Sequence, residues 1–382
     1  MAEGPLHGVK VVELGVWVAG PAATGLMCDW GATVIKVEPP TGDPQRAVFG
    51  ALGVADQAGV PPFEIDNRGK KSVVLDLRTD DGLATMHRLL AEADVFVSNV
   101  RPAGLKRMGL DPETLTARHP RLVYGLLTGY GSKGPDVDRA GYDVGAFWAR
   151  SGLAHTLVAP GDNPPSVRSG QGDHTTGLSM CAGVMAALFD RERTGKGRVV
   201  ETSLLRTGIY TIGWDVGVQL RFGKRTSTKR REQNPAPQIL NYVCGDGRAF
   251  WLLGLEGDRH WPGLLDAIGR ADLASDERFT TAADRAKNSE ALISILDEHF
   301  ATDTYEHWTG RFDALDVWWA PLNSIPQAIE DEQVVASGAF VDMSPRDGEA
   351  PYRAVNSPVD FSGYEPRYGR VPKLGEHDAT WD

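Results

Sequence analysis

The chain has 382 residues, of which 41% are hydrophobic and 24% charged, and its formal net charge is −11. This length exceeds the usual span of one hydrophobic core and predicts two domains. The negative net charge argues against nucleic-acid binding, because binding phosphates needs a concentrated positive face. Cys28, Cys181 and Cys244 lie far apart and form no C-x-x-C pair, which disfavours a disulfide framework or a structural zinc and indicates a reducing compartment. The first residues lack a signal-peptide pattern, and no run reaches the roughly 20 apolar residues of a membrane span. We therefore expect a cytoplasmic protein with neither membrane nor nucleic acid as a partner.

The first half of the chain alternates short apolar runs with amphipathic stretches. Strands are predicted over residues 9–14, 33–37, 72–75, 95–98, 122–127 and 198–202. Helices are predicted over residues 22–30, 79–93, 175–191 and 204–220, and residues 15–21 read as a turn. Such alternation predicts a parallel sheet with helices on both faces, an α/β fold.

The composition changes after residue 220. The stretch RFGKRTSTKRREQNPAP has no apolar periodicity and indicates a linker. Residues 239–244 and 249–253 flank Gly245-Asp246-Gly247 and predict a hairpin, and helices are predicted over 261–268, 289–300 and 304–315. A tail rich in Pro and Gly follows from residue 344, and we expect it to lie back on the first domain. We predict a large domain over 1–220 completed by 330–382, a linker over 221–234 and a small mixed α/β domain over 235–329.

The motif GQGDHTTG places Asp173 just before the strongest predicted helix. A carboxylate there faces free backbone N–H groups and the positive end of the helix dipole, which favour its ionised, nucleophilic form. The same donors can stabilise an oxyanion when the carboxylate attacks a carbonyl. The alternative is that Asp173 is only a helix cap, since Asp is a common cap residue.

The N-terminal βαβ unit, with Gly15, Gly20 and Glu38, suggests a dinucleotide site in which Glu38 binds a ribose. The G-x-G-x-x-G fingerprint is absent, however, and Trp17 stands where a pyrophosphate needs a small residue. The sequence therefore disfavours nicotinamide binding.

Two basic stretches are candidate anion sites. Arg101, Lys106 and Arg107 follow a predicted strand, where α/β sheets bind ligands, and they can hold phosphates or simply form a solvated helix face. For the cluster over residues 229–231 the linker interpretation is favoured.

The stretch GYDVGAFWARSG contains Tyr142 and Asp143 before an aromatic segment, and these residues alone indicate a buried helix terminus. The nine histidines show no metal-ligand spacing, so no metal is expected.

Eight stretches, in order along nearly the whole chain, resemble the family III CoA-transferases, which include formyl-CoA transferase, carnitine CoA-transferase and the α-methylacyl-CoA racemases. They are VVELGVWVAGPAAT, GATVIKVEPPTGDPQR, FEIDNRGKKSVVLDL, ADVFVSNVRPAGLKRMGL, GYDVGAFWARSGL, GQGDHTTGLSMCAGVMAAL, RERTGKGRVVETSLL and LGEH. The resemblance implies a Rossmann-like large domain without nicotinamide and a homodimer of interlocked, ring-shaped chains.

The resemblance also implies a reaction. CoA moves from an acyl-CoA donor to a small free carboxylic acid, with coenzyme A as substrate and no tightly bound cofactor. Asp173 matches the family's nucleophile, which forms first a mixed anhydride and then an aspartyl-CoA thioester. Asp143, after Tyr142, matches an acidic position close to that nucleophile.

The resemblance assigns CoA contacts residue by residue. Val18 and Ala19 line the pantetheine and thiol end, while Asn99 and Arg107 contact CoA, with Arg107 reaching a phosphate. Arg101 and Lys106 belong to the same basic stretch.

Two alternatives stay open at this point. One is a racemase, which needs two bases flanking an α-carbon, but Tyr142 stands where racemases have His, and a phenol with a reference pKa of about 10 is a poor base. The other is a CoA-binding protein without catalysis.

Overall fold

The structure is a computed structural model that describes residues 3–53, 59–223, 228–344, 350–366 and 368–381. It divides into two compact units. The described parts of 1–157, 164–226 and 338–382 form one, here called the large unit, and those of 158–163 and 227–337 form the other, the small unit. Residues 224–227 of the predicted linker, and 345–349, 367 and 382 of the predicted tail, lie outside the described residues.

Six parallel strands form the sheet of the large unit, in the order β3-β2-β1-β4-β5-β6. They are β1 (Lys10–Leu14), β2 (Thr33–Glu38), β3 (Lys71–Val74), β4 (Val95–Ser98), β5 (Val123–Thr128) and β6 (Val199–Ser203). The six strand predictions are confirmed, each end lying within one residue of its predicted position. This doubly wound order reverses direction between β1 and β4, which is where such sheets bind ligands.

Helices cover both faces of this sheet. They are α1 (Ala19–Asp29), α2 (Val48–Ala51), α3 (Pro61–Asn67), α4 (Asp80–Glu92), α5 (Pro102–Arg107), α6 (Pro112–Arg118), α7 (Leu153–Thr156), α8 (Gln171–Thr194), α9 (Leu204–Thr211) and α10 (Gly213–Phe222). A 3₁₀ turn, Pro44–Ala47, and a π-helix, Val144–Ala149, complete the set. The predicted helix over 204–220 is broken into α9 and α10 at Ile212.

Helices α1 and α8 begin earlier than the sequence indicated. Helix α1 begins at Ala19, because Pro21 in its first turn needs no hydrogen-bond acceptor there. Helix α8 begins at Gln171, after Gly170 in the left-handed conformation with φ 91°. The residues near both N-termini pack together: a Cβ at Gly177 would lie 2.9 Å from the Cβ of Ala22. Only glycine permits this approach, which brings the two helix starts close together.

The small unit contains an antiparallel sheet in the order β7-β8-β9, formed by β7 (Asn241–Val243), β8 (Ala249–Leu252) and β9 (Trp319–Pro321). The hairpin prediction is confirmed, whereas β9 was not predicted. The helices are α11 (Gly257–Ile268), α12 (Ala282–Lys287), α13 (Ser289–Phe300), α14 (Tyr305–Ala314), α15 (Ile325–Glu330) and α16 (Glu332–Ala336), with 3₁₀ turns over Arg231–Gln233 and Ala271–Ala274. Phe250 contacts both Phe300 and Phe312 at ring distances of 5.0 Å and anchors the core.

The C-terminal segment contacts the large unit. After the hairpin of β10 (Phe340–Met343) and β11 (Tyr352–Val355), the backbone N–H of His377 donates to the carbonyl of Ser72 at 3.0 Å. Gly375 N–H donates to the Ser72 hydroxyl oxygen, also at 3.0 Å. The segment therefore continues the hydrogen bonding beside β3. Across the described ranges, none of the helices has the length and apolar character to cross a bilayer.

Candidate active site

Two loops meet where the strand order reverses. The loop after β1 contains Val16, and the segment after β4 begins with Asn99. Val16 N–H donates to Asn99 Oδ1 at 3.0 Å, and Asn99 Nδ2 donates to the Val16 carbonyl at 2.7 Å. Asn99, predicted as a CoA contact, thus lies at the ligand-binding edge and uses its amide to hold the loop that carries Val18 and Ala19.

Trp17 has a strained backbone in this loop. Its φ is 62°, a conformation that costs a non-glycine residue about 1–3 kcal/mol. Its N–H donates to Asp43 Oδ1 at 3.1 Å, and its ring meets Tyr142 edge to face at 6.0 Å. Val18 then caps α1 without a side-chain bond, so the first N–H groups of α1 have no partner inside the helix.

A buried ionic cluster supports the loop from below. Glu13 bonds Lys36 at 2.7 Å and Lys70 at 2.6 Å, Lys36 bonds Asp43 at 2.9 Å, and the side chains of all four residues are buried. Burial raises the pKa of Glu13, but the two lysines outweigh it and lower the pKa to about 2. Sequence reasoning missed this cluster, although charged residues inside apolar strands, as in KVVEL and TVIKVE, were a usable signal.

Asp143, rather than Asp173, occupies the start of α8. Asp143 is buried, and its Oδ2 accepts the backbone N–H of Gly170 at 2.6 Å. A Cβ at Gly172 would lie 2.3 Å from Asp143 Oδ1 and 2.2 Å from a ring atom of Phe147. Asp173 is the third residue of the helix and Gly170 is its N-cap, so Asp173 lies inside the first turn and not before the helix as the sequence predicts.

The pKa of Asp173 is raised to about 7, first by burial and then by repulsion from Asp143, while His174 opposes the shift and Asp66 adds to it. The sequence predicts that the helix start favours the ionised form, whereas burial and the charge of Asp143 act against it. Burial likewise raises the pKa of Asp143. Near neutral pH, Asp173 is thus a poorly solvated carboxylate that ionises readily and is a strong nucleophile when it does.

The position of Asp173 follows from helix geometry. Residues four apart lie on one face of a helix, so Asp173 lies one turn before Gly177, which packs on Ala19. Asp173 therefore faces the start of α1. Tyr142, which directly precedes Asp143, is 62% exposed and contacts Trp17 of the loop after β1.

A histidine–carboxylate pair lies on the adjacent face of α8. His174 Nε2 is 3.0 Å from Asp66 Oδ1 of α3, and Asp66 is buried. Sequence reasoning missed this pair, because only the fold brings α3 against α8. The one signal was a histidine directly after Asp173.

The basic residues after β4 lie at the same edge of the sheet, with Arg101 as the N-cap of α5 and Lys106 and Arg107 in its last turn. Arg101 donates to the backbone carbonyl of Asp138 at 3.2 Å, and Lys106 and Arg107 are exposed.

The dinucleotide hypothesis for Glu38 is wrong, because Glu38 is buried and bonds Arg46 and Ser72, each at 2.6 Å. In the small unit, Arg231 pairs with Asp297 at 2.7 Å. Over the described ranges, no group of three or more His, Cys, Asp or Glu residues forms a metal site.

Comparison with known proteins assigns the family. Residues 6–378 match the family model described as CoA-transferase family III. The chain belongs to this family. The assignment confirms the resemblance seen in the sequence, and it gives the reaction class: the protein is a CoA-transferase, an enzyme whose substrates are CoA thioesters.

Curated relatives of this CoA-transferase cover almost the whole chain. It is 33% identical to (R)-2-hydroxy-4-methylpentanoate CoA-transferase of Clostridioides difficile, over 97% of this chain and 93% of the relative. It is 34% identical to cinnamoyl-CoA:phenyllactate CoA-transferase of Clostridium sporogenes, over 97% and 90%.

Solved structures of the family share the fold. A CaiB/BaiF family protein from Brucella suis superposes with a TM-score of 0.84 at 32% identity, covering 98% of each chain. A protein of Mycobacterium tuberculosis superposes with a TM-score of 0.86 at 27% identity, covering 100% of this chain and 99% of the other.

Proposed function

We propose that this CoA-transferase moves CoA from an acyl-CoA donor to a free carboxylic acid through covalent intermediates on Asp173. The observation that carries the proposal is a half-buried carboxylate, with its pKa raised to about 7, at the meeting point of two helix N-termini. A nucleophile in such a place is desolvated, and unpaired backbone N–H groups lie near the carbonyl it attacks.

The proposed reaction has four steps, and none needs an oxidant or a metal. An Asp173 oxygen attacks the thioester carbonyl, the C–S bond breaks, and CoA leaves as a thiolate from a mixed anhydride. The thiolate attacks the Asp173 carbonyl carbon, releasing the donor acid and leaving an aspartyl-CoA thioester. The acceptor carboxylate attacks that thioester, giving a second anhydride and the thiolate again. The thiolate then attacks the acceptor acyl carbon, forming the new acyl-CoA and restoring Asp173.

Neighbouring groups have defined roles in this proposal. The first N–H groups of α1, at Ala19 and Gly20, donate to the oxyanion that forms in each step. Asp143 fixes the start of α8 through Gly170. The aromatic pair of Trp17 and Tyr142 keeps water from the anhydride, which would otherwise hydrolyse.

The CoA molecule is assigned to the edge of the sheet beside β1 and β4. Val18 and Ala19 line the pantetheine end, and Asn99 shapes the loop there. Arg107, with Lys106 and Arg101, binds phosphate, since these cations follow β4 at the ligand-binding edge.

The acids are proposed to carry branched or aryl groups. Trp17 and Tyr142 form an aromatic pair next to Val18 and Asp143 in sequence, and such a surface suits these groups. The names of two relatives, for (R)-2-hydroxy-4-methylpentanoate and for cinnamoyl-CoA with phenyllactate, point to the same class.

The enzyme is further proposed to act as the interlocked homodimer that the family resemblance implies. Large apolar side chains are exposed on α9 and α10: Tyr210 at 84%, Trp214 at 84% and Leu220 at 82%. A patch of this kind on a single chain marks an interface.

The nucleophile is tested by trapping. Acyl-CoA without acceptor should leave an acyl or CoA adduct on Asp173, and hydroxylamine should convert it to a hydroxamate that peptide mass spectrometry places on that residue. Asp173→Asn should fold, because Gly170 and not Asp173 is the cap, yet lose transfer by several orders of magnitude. Asp190→Asn, near the opposite end of the same helix, is the matched control and should retain activity. Normal transfer by folded Asp173→Asn, or α-deuteration of substrate without an adduct, would overturn the proposal.

A further inference from the structure

The groups around Asp173 are mostly acidic. Asp143 lies at the start of the π-helix and Asp66 on α3, and both repel a negative charge on Asp173. Burial acts in the same direction. Against these stands the neighbouring His174, the group that favours the charged form of Asp173.

His174 is held in a way that suits an imidazolium. Its Nε2 lies 3.0 Å from Asp66 Oδ1, and its Nδ1 lies 3.8 Å from the point where a Cβ of Gly170 would stand. A ring that contacts a buried carboxylate is favoured in its positively charged form, and Asp66 raises the pKa of His174. The second oxygen of Asp66 is buried and has no hydrogen-bond partner among the described residues. Two positive groups act on this carboxylate: His174, which contacts it directly, and Lys70.

We propose that His174, held by Asp66, is a positioning residue whose imidazolium keeps Asp173 in its anionic, nucleophilic form. The proposal rests on the function proposed for Asp173 and adds the means by which a desolvated carboxylate between two other carboxylates remains reactive. His174 does not touch the reacting atoms in this account; it acts through its charge. The coupling is reciprocal, so Asp173 must stabilise the charge on His174 by the same amount.

The first experiment measures the rate at which Asp173 is acylated, by quenching a single turnover and quantifying the adduct across pH. In His174→Gln the acid limb should move to higher pH by on the order of one unit, since an opposite charge has been lost. The rates of variant and wild type should converge at alkaline pH, where Asp173 is ionised in both. His174→Lys should move the limb back toward wild type, and His87→Gln on α4 should leave it unchanged.

The second experiment reads the charge of His174 without any turnover. NMR titration of its ring, in histidine-labelled protein, should give a pKa above the ordinary 6.5. The pKa should fall in Asp66→Asn, where the hydrogen bond remains without the charge, and also in Asp173→Asn, where the reciprocal partner is gone.

The outcomes separate the two proposals. The role of His174 is overturned, and Asp173 remains the nucleophile, if wild type forms the adduct and either of two results is found. One is a His174→Gln variant with the wild-type pH profile of acylation; the other is a His174 pKa that is the same in Asp173→Asn as in wild type. If wild type forms no adduct at any pH, the proposed function fails, and a lowered His174 pKa in Asp173→Asn would still support the coupling.

Discussion

The carboxylate of Asp143 accepts the backbone N–H of Gly170 across 2.6 Å and so joins the π-helix to the start of α8. Asp143 is 4% exposed, and its other oxygen has no hydrogen-bond partner among the residues described. The Asp143 side chain therefore has two effects. It holds the helix that carries Asp173, and it places a like charge near that residue, which raises its pKa.

Replacing Asp143 by Asn separates these two effects. Asn keeps an oxygen for Gly170 but removes the charge, so the pKa of Asp173 should fall from about 7. A lowered pKa means that Asp173 is ionised at lower pH, and the acid limb of transfer should move down by on the order of one pH unit. The measurement is transfer rate against pH. An acid limb that moves to higher pH, or does not move, would contradict the repulsion between Asp143 and Asp173. The variant Asp143→Ala also loses the hydrogen bond to Gly170 and should lower the activity at every pH.

Gly172→Ala tests the contact between α8 and the π-helix. The added Cβ would meet Asp143 and Phe147 at 2.3 and 2.2 Å, so the helix start must shift. We expect a loss of about 1–3 kcal/mol in the free energy of unfolding, together with a large loss of transfer activity. Gly310→Ala in α14 is the control, because nothing lies within 4 Å of its Cβ, and it should stabilise by up to about 1 kcal/mol. Equal effects of Gly172→Ala and Gly310→Ala on urea unfolding would show that the helix start accommodates the added methyl group without strain.

Much of the fold could be predicted from the sequence, because the strands are short apolar runs and β-branched residues fill the buried centre of the sheet. Val11, Val12 and Val97, for example, are fully buried, as strands covered on both faces require. Asp173 could also be placed near a helix start, because Gly170 and Gly172 precede it.

The electrostatics of the site could not be predicted in this way. The pKa of Asp173 depends on Asp143 and Asp66, which are remote in sequence and meet it only through the fold. The same holds for Lys36 and Lys70, which share Glu13 although they lie 34 positions apart in the sequence. Local patterns report burial and helix ends, but they do not report which charges are brought together.

Glu13→Gln tests the buried cluster under the loop after β1. The change leaves Lys36 and Lys70 without their shared carboxylate in a site that water does not reach, and should cost about 3–5 kcal/mol of unfolding free energy. Glu92→Gln removes a partner of Lys10 in a more exposed pair and should cost at most about 1 kcal/mol. The measurement is urea unfolding. Similar losses in the two variants would contradict a structural role for the cluster.

The cluster also predicts a pH dependence. The folded-state pKa of Glu13 is about 2, below its ordinary 4.5, so its contribution to stability is present above 4.5 and is lost as the pH falls toward 2. Wild type should therefore lose unfolding free energy across this window more steeply than Glu13→Gln, which has no carboxyl to protonate there. Parallel curves for the two proteins would show that folding does not lower the pKa of Glu13.

The exposed face of α9 and α10 predicts the assembly. Trp214 and Tyr210 are each 84% exposed in the single chain, and burying two such rings against a second copy is favourable by several kcal/mol at about 25 cal/mol per Å². Light scattering should give twice the chain mass of 41.3 kDa. Trp214→Asp should lower the yield of this dimer, because a carboxylate would be buried without a partner, whereas Leu52→Asp, at a site 70% exposed on the large unit, should not. A wild-type mass of one chain would contradict the interface, and so would a Trp214→Asp protein that assembles and transfers CoA as well as the Leu52→Asp control.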